Sequence, residues 1–357
     1  RGVVLAVGMS LPFGLVLWDV EGVLRALGQP EAVVLDAAAY ARGIIWGLPA
    51  YYLFVAFRQP LQAMSVVRPA AMAIVAGNLL NVVADWALIF GHLGFPALGV
   101  RGSAYATSAC RWGMFLWLLF ASRRQLARYW SGFTAEALDL SRHLRLLRIG
   151  LPSGFHQSIE VLLFSAVALL VGRMGVAALA GHQIAINLAS LSFMIPLGIS
   201  GAAATRVGNA IGRGDMPGAR RAATASLLLG AGVMVVFAAV FAAFPEALAR
   251  LYTRDAPTLA MAAALLPIAA VFQVFDGLQV VGTGVLRGAA DTAFPAVLAF
   301  LGFWAVGLPS GWLLGFRFSQ GATGLWWGLT IGLAAVALLL LARIAARFRG
   351  DIGRETG

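Results

Sequence analysis

The sequence predicts an all-α membrane protein built from two helical bundles, and three observations carry that prediction. Of 357 residues, 61% are hydrophobic and only 11% are charged, against roughly 25% charged in a soluble domain. The apolar residues gather in runs long enough to cross a ~30 Å hydrocarbon layer as helices. The early runs also repeat the late ones in the same order.

The runs lie at about 3–24, 43–57, 70–91, 102–121, 150–172, 177–204, 222–244, 258–286, 294–315 and 322–345, which makes ten helices. Helix is forced, because unpaired backbone is too costly in lipid and the runs lack the alternation of barrel strands. The second run is short, and 37–42 extends it toward the interface. Arginines orient the spans. Arg68, Arg123, Arg124, Arg128, Arg142, Arg145, Arg148, Arg206, Arg213, Arg220, Arg221, Arg287, Arg343, Arg347, Arg349 and Arg354 fall on one side if the spans alternate. The other side receives fewer, so the positive-inside rule places the C-terminus in the cytoplasm of a multi-pass plasma (inner) membrane protein. That same use of charge makes nucleic acid an unneeded partner. The single cysteine, Cys110, excludes an intramolecular disulfide and a cysteine metal cluster.

"LLNVVADWALIFG" from Leu79 aligns with "FWAVGLPSGWLLG" from Phe303 at a shift of 224, and Gly99 and Gly102 answer to Gly321 and Gly324 at 222. Spans one to four therefore repeat spans seven to ten, and spans five and six have no partner. The expected organisation is an N-terminal lobe at 1–122, a cytoplasmic linker at 123–148 with an amphipathic helix near 135–147, a C-terminal lobe at 149–345 and a tail at 346–357. The missing partners predict an N-terminally incomplete piece, ten of twelve helices, that is inactive when isolated.

Three acids sit well inside apolar runs: Asp85, Glu160 and Asp276. An ionisable group in lipid costs several kcal/mol, so such acids face a cavity and mark an ion, proton or substrate path. Polar neighbours follow helical spacing around them. His156 and Glu160 are four apart, as are Gln183 and Asn187; Asn78, Asn81 and Asp85 share a face; Gln273, Asp276, Gln279 and Thr283 form another stripe. Each stripe reads either as a wet interior or as hydrogen-bonding glue between helices. Phe193 offers a ring to an organic cation. Pro196, Pro267 and "GLPSG" at Gly307 are expected to interrupt helices around a central cavity. HExxH, paired cysteines and Gly-x-Ser-x-Gly are absent, so intramembrane enzyme chemistry is not expected.

The strings "GLPSGFHQSIEVLLF", "GHQIAINLASLSFMIPLGISGAAATRVGNAIGRGD" and "FQVFDGLQVVGTGVLRGAADT" resemble the multidrug and toxic compound extrusion (MATE) family. The resemblance implies a monomeric exporter of cationic, amphiphilic drugs or toxic organic compounds, with Na⁺ or H⁺ as coupling ion, no other cofactor, and membrane lipid around it. It implies cation coupling at Glu160 and Asp276, both of them Na⁺ ligands if sodium is the ion, and places Phe193 in the same cavity. Asn81, Asp85 and Thr107 match an N-lobe cation or proton site of another branch. Phe272 stands where some relatives carry tyrosine, which removes a hydroxyl from the C-lobe ion. His156, Gln183, Asn187 and Gln279 complete the expected substrate cavity. The alternative, a flippase for lipid-linked oligosaccharides from the same wider superfamily, requires several cationic residues in its cavity, and only Arg58 offers itself within a span.

Overall fold

The computed structural model describes residues 2–26, 28, 30–127 and 139–350. Segments 128–138 and 351–357, with Arg128, Arg354 and the first part of the expected amphipathic helix, lie outside the described residues. Among the described residues there is no strand. The chain divides into two compact units, Arg1–Leu144 and Arg145–Gly357.

The first unit holds α1 (Gly2–Trp18), α2 (Val20–Ala26), α3 (Glu31–Ile45), α4 (Leu48–Ala63), α5 (Arg68–Phe90), α6 (Val100–Ala121) and α7 (Arg123–Ala127). Helix α6 packs against α3, α4 and α5, and α1 against α3 and α4. Phe54, Phe57, Leu61, Phe115 and Leu118 form the core between them, with the Phe57 and Phe115 rings 5.8 Å apart.

α8 (Leu140–Gly172) opens before the division and continues into the second unit, so the stretch 140–148 is the start of a long helix. It is followed by α9 (Val176–Gly212), α10 (Met216–Ala243), α11 (Pro245–Arg250) and α12 (Ala256–Gly288). The span Ala293–Arg317 comes next. It comprises α13 (Ala293–Phe300), a π-helical segment Leu301–Gly307, α14 (Leu308–Trp312) and a second π-helical segment Leu313–Arg317. Last is α15 (Gly321–Arg347). Helix α12 is central and packs on α9, α10, α11 and α15; Leu265, Leu266, Ala269, Val281, Val285 and Leu286 on it are fully buried.

Among the described residues seven helices are long and apolar enough to cross a membrane, or eight if α1 and α2, bent by 49°, form one span. Two expected runs fall outside that count. The second, 43–57, straddles a break between α3 and α4, because Pro49 has no N–H to donate to Ile45 and the helical ladder cannot continue. Carbonyls freed at the break find donors on α6: Ser108 Oγ donates to Gly43 O at 2.9 Å and Trp112 Nε1 to Trp46 O at 2.9 Å. The fourth run is α6 itself, a single helix of 22 residues made less apolar by Arg111, which stacks over Tyr51 at 5.2 Å.

The expected interruptions at Pro196 and Pro267 are corrected: α9 and α12 run unbroken through them. Each proline costs one backbone bond, and close packing by neighbouring helices keeps the helix in place. "GLPSG" does disturb its helix, with π-helical turns on either side of Leu308–Trp312. Pro309 cannot donate to Ala305, and widened turns redistribute the bonds there. The same span meets α15 at very short range: a Cβ on Gly328 would lie 2.1 Å from Gly311 Cα and 2.2 Å from Gly311 N. Only hydrogen fits at Gly328, while a Cβ on Gly311 would meet Leu325 O at 3.1 Å, the small-residue packing common between membrane helices.

Among the described residues three helix starts are capped by aspartate; at α8 Asp139 Oδ1 accepts from Ser141 N at 2.9 Å. Asp215 Oδ1 accepts from Gly218 N at 2.8 Å to open α10, and Asp215→Ala is expected to cost about 1 kcal/mol, read from thermal unfolding of the detergent-solubilised protein. Asp255 opens α12, where the Thr258 hydroxyl first and the Thr258 N–H second hold its carboxyl below the usual range. That cap is fully present above the ordinary carboxylate range and is lost as pH falls through the lowered value. Asp255→Asn should therefore flatten the acid limb of the stability profile.

Candidate functional site

The site lies in the second unit, where four helices and a π-helical segment surround a cavity of ≈ 150 Å³. Helix α8 contributes Gln157, Glu160 and Phe164; α9 contributes Ile186, Ala189, Ser190 and Phe193. Helix α12 contributes Phe272 and Asp276, the segment Leu301–Gly307 contributes Phe303, and α15 contributes Leu329 and Leu333. Two carboxylates thus share one small chamber whose other walls are largely aromatic and aliphatic. None of the lining residues is basic.

Helical spacing sets the hydrogen bonding behind the carboxylates. His156 and Glu160, one turn apart on α8, both meet Gln279 of α12, itself one turn beyond Asp276. Gln279 Nε2 donates to Glu160 Oε1 at 2.6 Å and lies 3.2 Å from His156 Nε2. His156 Nε2 is 3.7 Å from the same carboxylate oxygen. On the cavity side Gln157 Nε2 reaches Glu160 Oε2 at 3.5 Å. Gln279 Oε1 is buried with no partner among the described residues, leaving an acceptor beside the acid. Trp304 Nε1 donates to Ile159 O at 3.4 Å and fastens the π-helical segment next to Glu160.

Phe272 is buried and edge-on to Phe164 and Trp326, with centroids 6.2 and 5.8 Å away. Trp326 Nε1 in turn donates to His182 Nδ1 at 3.1 Å, so His182 is a satisfied core histidine. Gln273 is fully buried and accepts from Ser192 Oγ, while Thr283 Oγ1 is buried without a partner among the described residues. Of the expected cavity residues, His156 and Gln279 stand behind Glu160 and do not line the chamber, and the same correction holds for Gln183 and Asn187. The last two are exposed; Asn187 Oδ1 accepts from Tyr252 OH at 2.8 Å. They lie on a strip of α9 displaced from the Ile186, Ala189 and Phe193 face.

In the first unit Asn81 and Asp85 are half-buried on α5, and the Asn81 side chain meets the Cys110 thiol of α6. Asn81 Nδ2 and Asp85 Oδ1 are buried without partners among the described residues. Thr107 is half-buried on α6, and Asn78 is exposed. A cavity of ≈ 430 Å³ between α5 and α6 is lined by Gly77, Leu80, Cys110, Met114 and other apolar residues, but by none of Asn81, Asp85 or Thr107. Among the described residues no group of three or more His, Cys, Asp and Glu could hold a metal ion.

Sequence reasoning named Glu160, Phe193, Phe272 and Asp276 of the lining and missed the rest, Phe303, Ser190, Gln157, Leu329 and Leu333 among them. Phe303 belongs to a run without polar periodicity, and only the fold of α8, α12 and α15 brings it to Glu160. Gln157 had a local signal, lying three residues before the acid.

An all-helical, multi-pass membrane fold around a two-carboxylate chamber is the architecture of a membrane transporter. The MatE family model matches residues 1–87 and 152–313. The chain is 38% identical over 362 residues to the probable multidrug resistance protein NorM of Mesorhizobium japonicum, covering 98% of the chain and 76% of that protein. It is 36% identical over 353 residues to the multidrug resistance protein MdtK of Yersinia pseudotuberculosis, covering 96% and 77%. Its fold is similar to that of the eukaryotic MATE transporter AtDTX14, with a TM-score of 0.88 at 23% identity over 98% of this chain and 78% of that one. It is also similar to that of Vibrio cholerae VcmN in its bent form, with 0.85 at 20% identity over 98% and 78%. The chain belongs to the MATE transporter family.

Proposed function

We propose that this protein is a multidrug efflux antiporter that exchanges a coupling cation, Na⁺ or H⁺, for cationic amphiphilic compounds by alternating access. The observation that carries the reading is the shared chamber of Glu160 and Asp276. Two carboxylates in so small a low-dielectric space repel one another, and a bound cation relieves that repulsion. A sodium ion wants about six oxygens; Glu160, Asp276, Ser190, the free Gln279 Oε1 and backbone carbonyls are the donors at hand. A proton needs only a carboxylate. The aromatic walls suit an organic cation with apolar bulk.

Size separates the two cargoes. At ≈ 150 Å³ the chamber is smaller than the ~300–1,000 Å³ typical of drug-sized ligands, so it holds a small ion and must widen to take a drug. Drug and ion then compete for the same carboxylates, and arrival of one expels the other while the lobes alternate access. Asn81, Asp85 and Thr107 form a second coupling group in the first unit. The absence of basic residues among the chamber's lining supports a cationic cargo over a pyrophosphate-linked one.

In this reading ten crossings are made by α1 with α2, α3 with α4, α5, α6, α8, α9, α10, α12, the span Ala293–Arg317 and α15, with the arginine-rich ends and the C-terminus in the cytoplasm. The two lobes descend from an internal repeat. In support, one family model matches two stretches that end at 87 and 313, 226 residues apart against the shift of 224 in the sequence. The test is transport of tetraphenylphosphonium by the purified protein in vesicles, with sodium and proton gradients imposed separately. One gradient alone should drive accumulation; accumulation with neither would end the antiport reading. Gln279→Leu should weaken gradient-driven transport by roughly 10- to 150-fold, the worth of one hydrogen bond to a charged group.

A further inference from the structure

A second groove shares no lining residue with the carboxylate chamber. It lies between the start of α10 and the end of α15, both of which pack on α12. Its volume is ≈ 370 Å³ and its walls are Arg220, Ala223, Thr224 and Leu227 on one side and Leu341, Ile344, Ala345 and Phe348 on the other. The two helices run in opposite directions here. Arg220 Nη2 donates to Arg349 O at 3.2 Å at one end of the groove, and from Arg220 to Leu227 the walls turn apolar over about 10 Å, at ~1.5 Å per residue. The groove is therefore polarised along the helix axes: cationic at the mouth, greasy at depth.

Charge around the mouth is unbalanced. Among the described residues Arg220 and Arg221 stand at the start of α10 and Arg343, Arg347 and Arg349 at the end of α15, with Arg213 and Arg287 at the ends of α9 and α12, against Asp215 and Asp291. Both acids are engaged. Asp291 holds Arg343 at 2.9 and 3.0 Å, and Asp215 caps α10. Arg220, Arg221, Arg347 and Arg349 form no ion pair among the described residues.

We propose that this groove binds one anionic phospholipid, its phosphate on Arg220 and Arg347 and the upper part of one acyl chain against Ala223, Leu227, Leu341 and Ile344. The occupant follows from the direction of polarity. A charged mouth at the helix ends and an apolar floor toward the middle of the span match the headgroup-to-chain axis of a lipid in the surrounding leaflet, and arginines near a membrane surface favour anionic lipid.

The test is native mass spectrometry of the purified chain with equal amounts of phosphatidylglycerol and phosphatidylcholine. The wild type should retain one phosphatidylglycerol at least about fivefold over phosphatidylcholine. The preference should vanish in R220Q/R347Q, and T224W, which fills the groove, should lose that one lipid, with elution on size exclusion unchanged in both. Equal retention of the two lipids, a preference that survives R220Q/R347Q, or displacement of the lipid by millimolar inorganic phosphate would overturn the proposal.

Discussion

Glu160→Gln is expected to reduce export of a lipophilic cation, measured as efflux from cells or as resistance of a drug-sensitive strain, to the level of cells lacking the transporter. The substitution keeps the shape of the side chain and leaves an oxygen to accept from Gln279, so the folded amount should not change. What it removes is the charge that holds a cation in the chamber. A contact to a charged group is worth ~1.5–3 kcal/mol, or roughly 10- to 150-fold in affinity. In an exchanger the loss counts at both steps, since drug and ion compete for the same group. Asp276→Asn should act in the same direction. Glu160→Asp retains charge but moves it back by one methylene away from Gln279 Nε2, and should leave partial activity with a raised requirement for the coupling ion. Unchanged efflux in both Glu160→Gln and Asp276→Asn would remove the assignment.

Gly328→Val is expected to eliminate folded protein. Its Cβ would lie 2.1 Å from Gly311 Cα and 2.2 Å from Gly311 N, with Gly307 O at 2.8 Å. These are backbone atoms, which cannot rotate aside, so α15 and the Ala293–Arg317 span would have to separate. That separation would also move Phe303, Leu329 and Leu333 away from the carboxylates. Overpacking usually costs ~1–3 kcal/mol and occasionally more, and a backbone clash belongs at or above the top of that range. The check is the monodisperse yield on size exclusion beside Gly232→Val on α10, where a Cβ meets nothing within 4 Å. Equal yields would mean that the seam is looser than described.

The contrast between these two glycines marks what is legible in sequence. Composition and run length disclosed a helical membrane protein because a lipid environment allows few other folds. Glu160 and Asp276 were visible because an acid inside an apolar run is rare, and His156 and Gln279 because they fall one turn from those acids. Nothing in the sequence distinguishes Gly328, facing Gly311 at contact, from Gly232, facing open space; that difference belongs to packing between distant segments. Proline was read too strongly for the same reason. Pro49 and Pro309 change their helices while Pro196 and Pro267 do not, and neighbouring helices decide which. Gln183 and Asn187 failed as chamber residues because helical spacing gives a face but not what that face meets. Phe303 was missed because it carries no polar signal at all.

The chamber's central claim is that one pair of carboxylates serves both cargoes in turn. Equilibrium binding of tetraphenylphosphonium to the purified protein, titrated with Na⁺ at fixed pH and with acid at fixed Na⁺, tests it most directly. The account predicts that one of the two titrants raises the apparent Kd in proportion to its concentration in the wild type and has no effect in E160Q/D276N. Drug affinity indifferent to both titrants in the wild type, or competition that persists in the double variant, would contradict it.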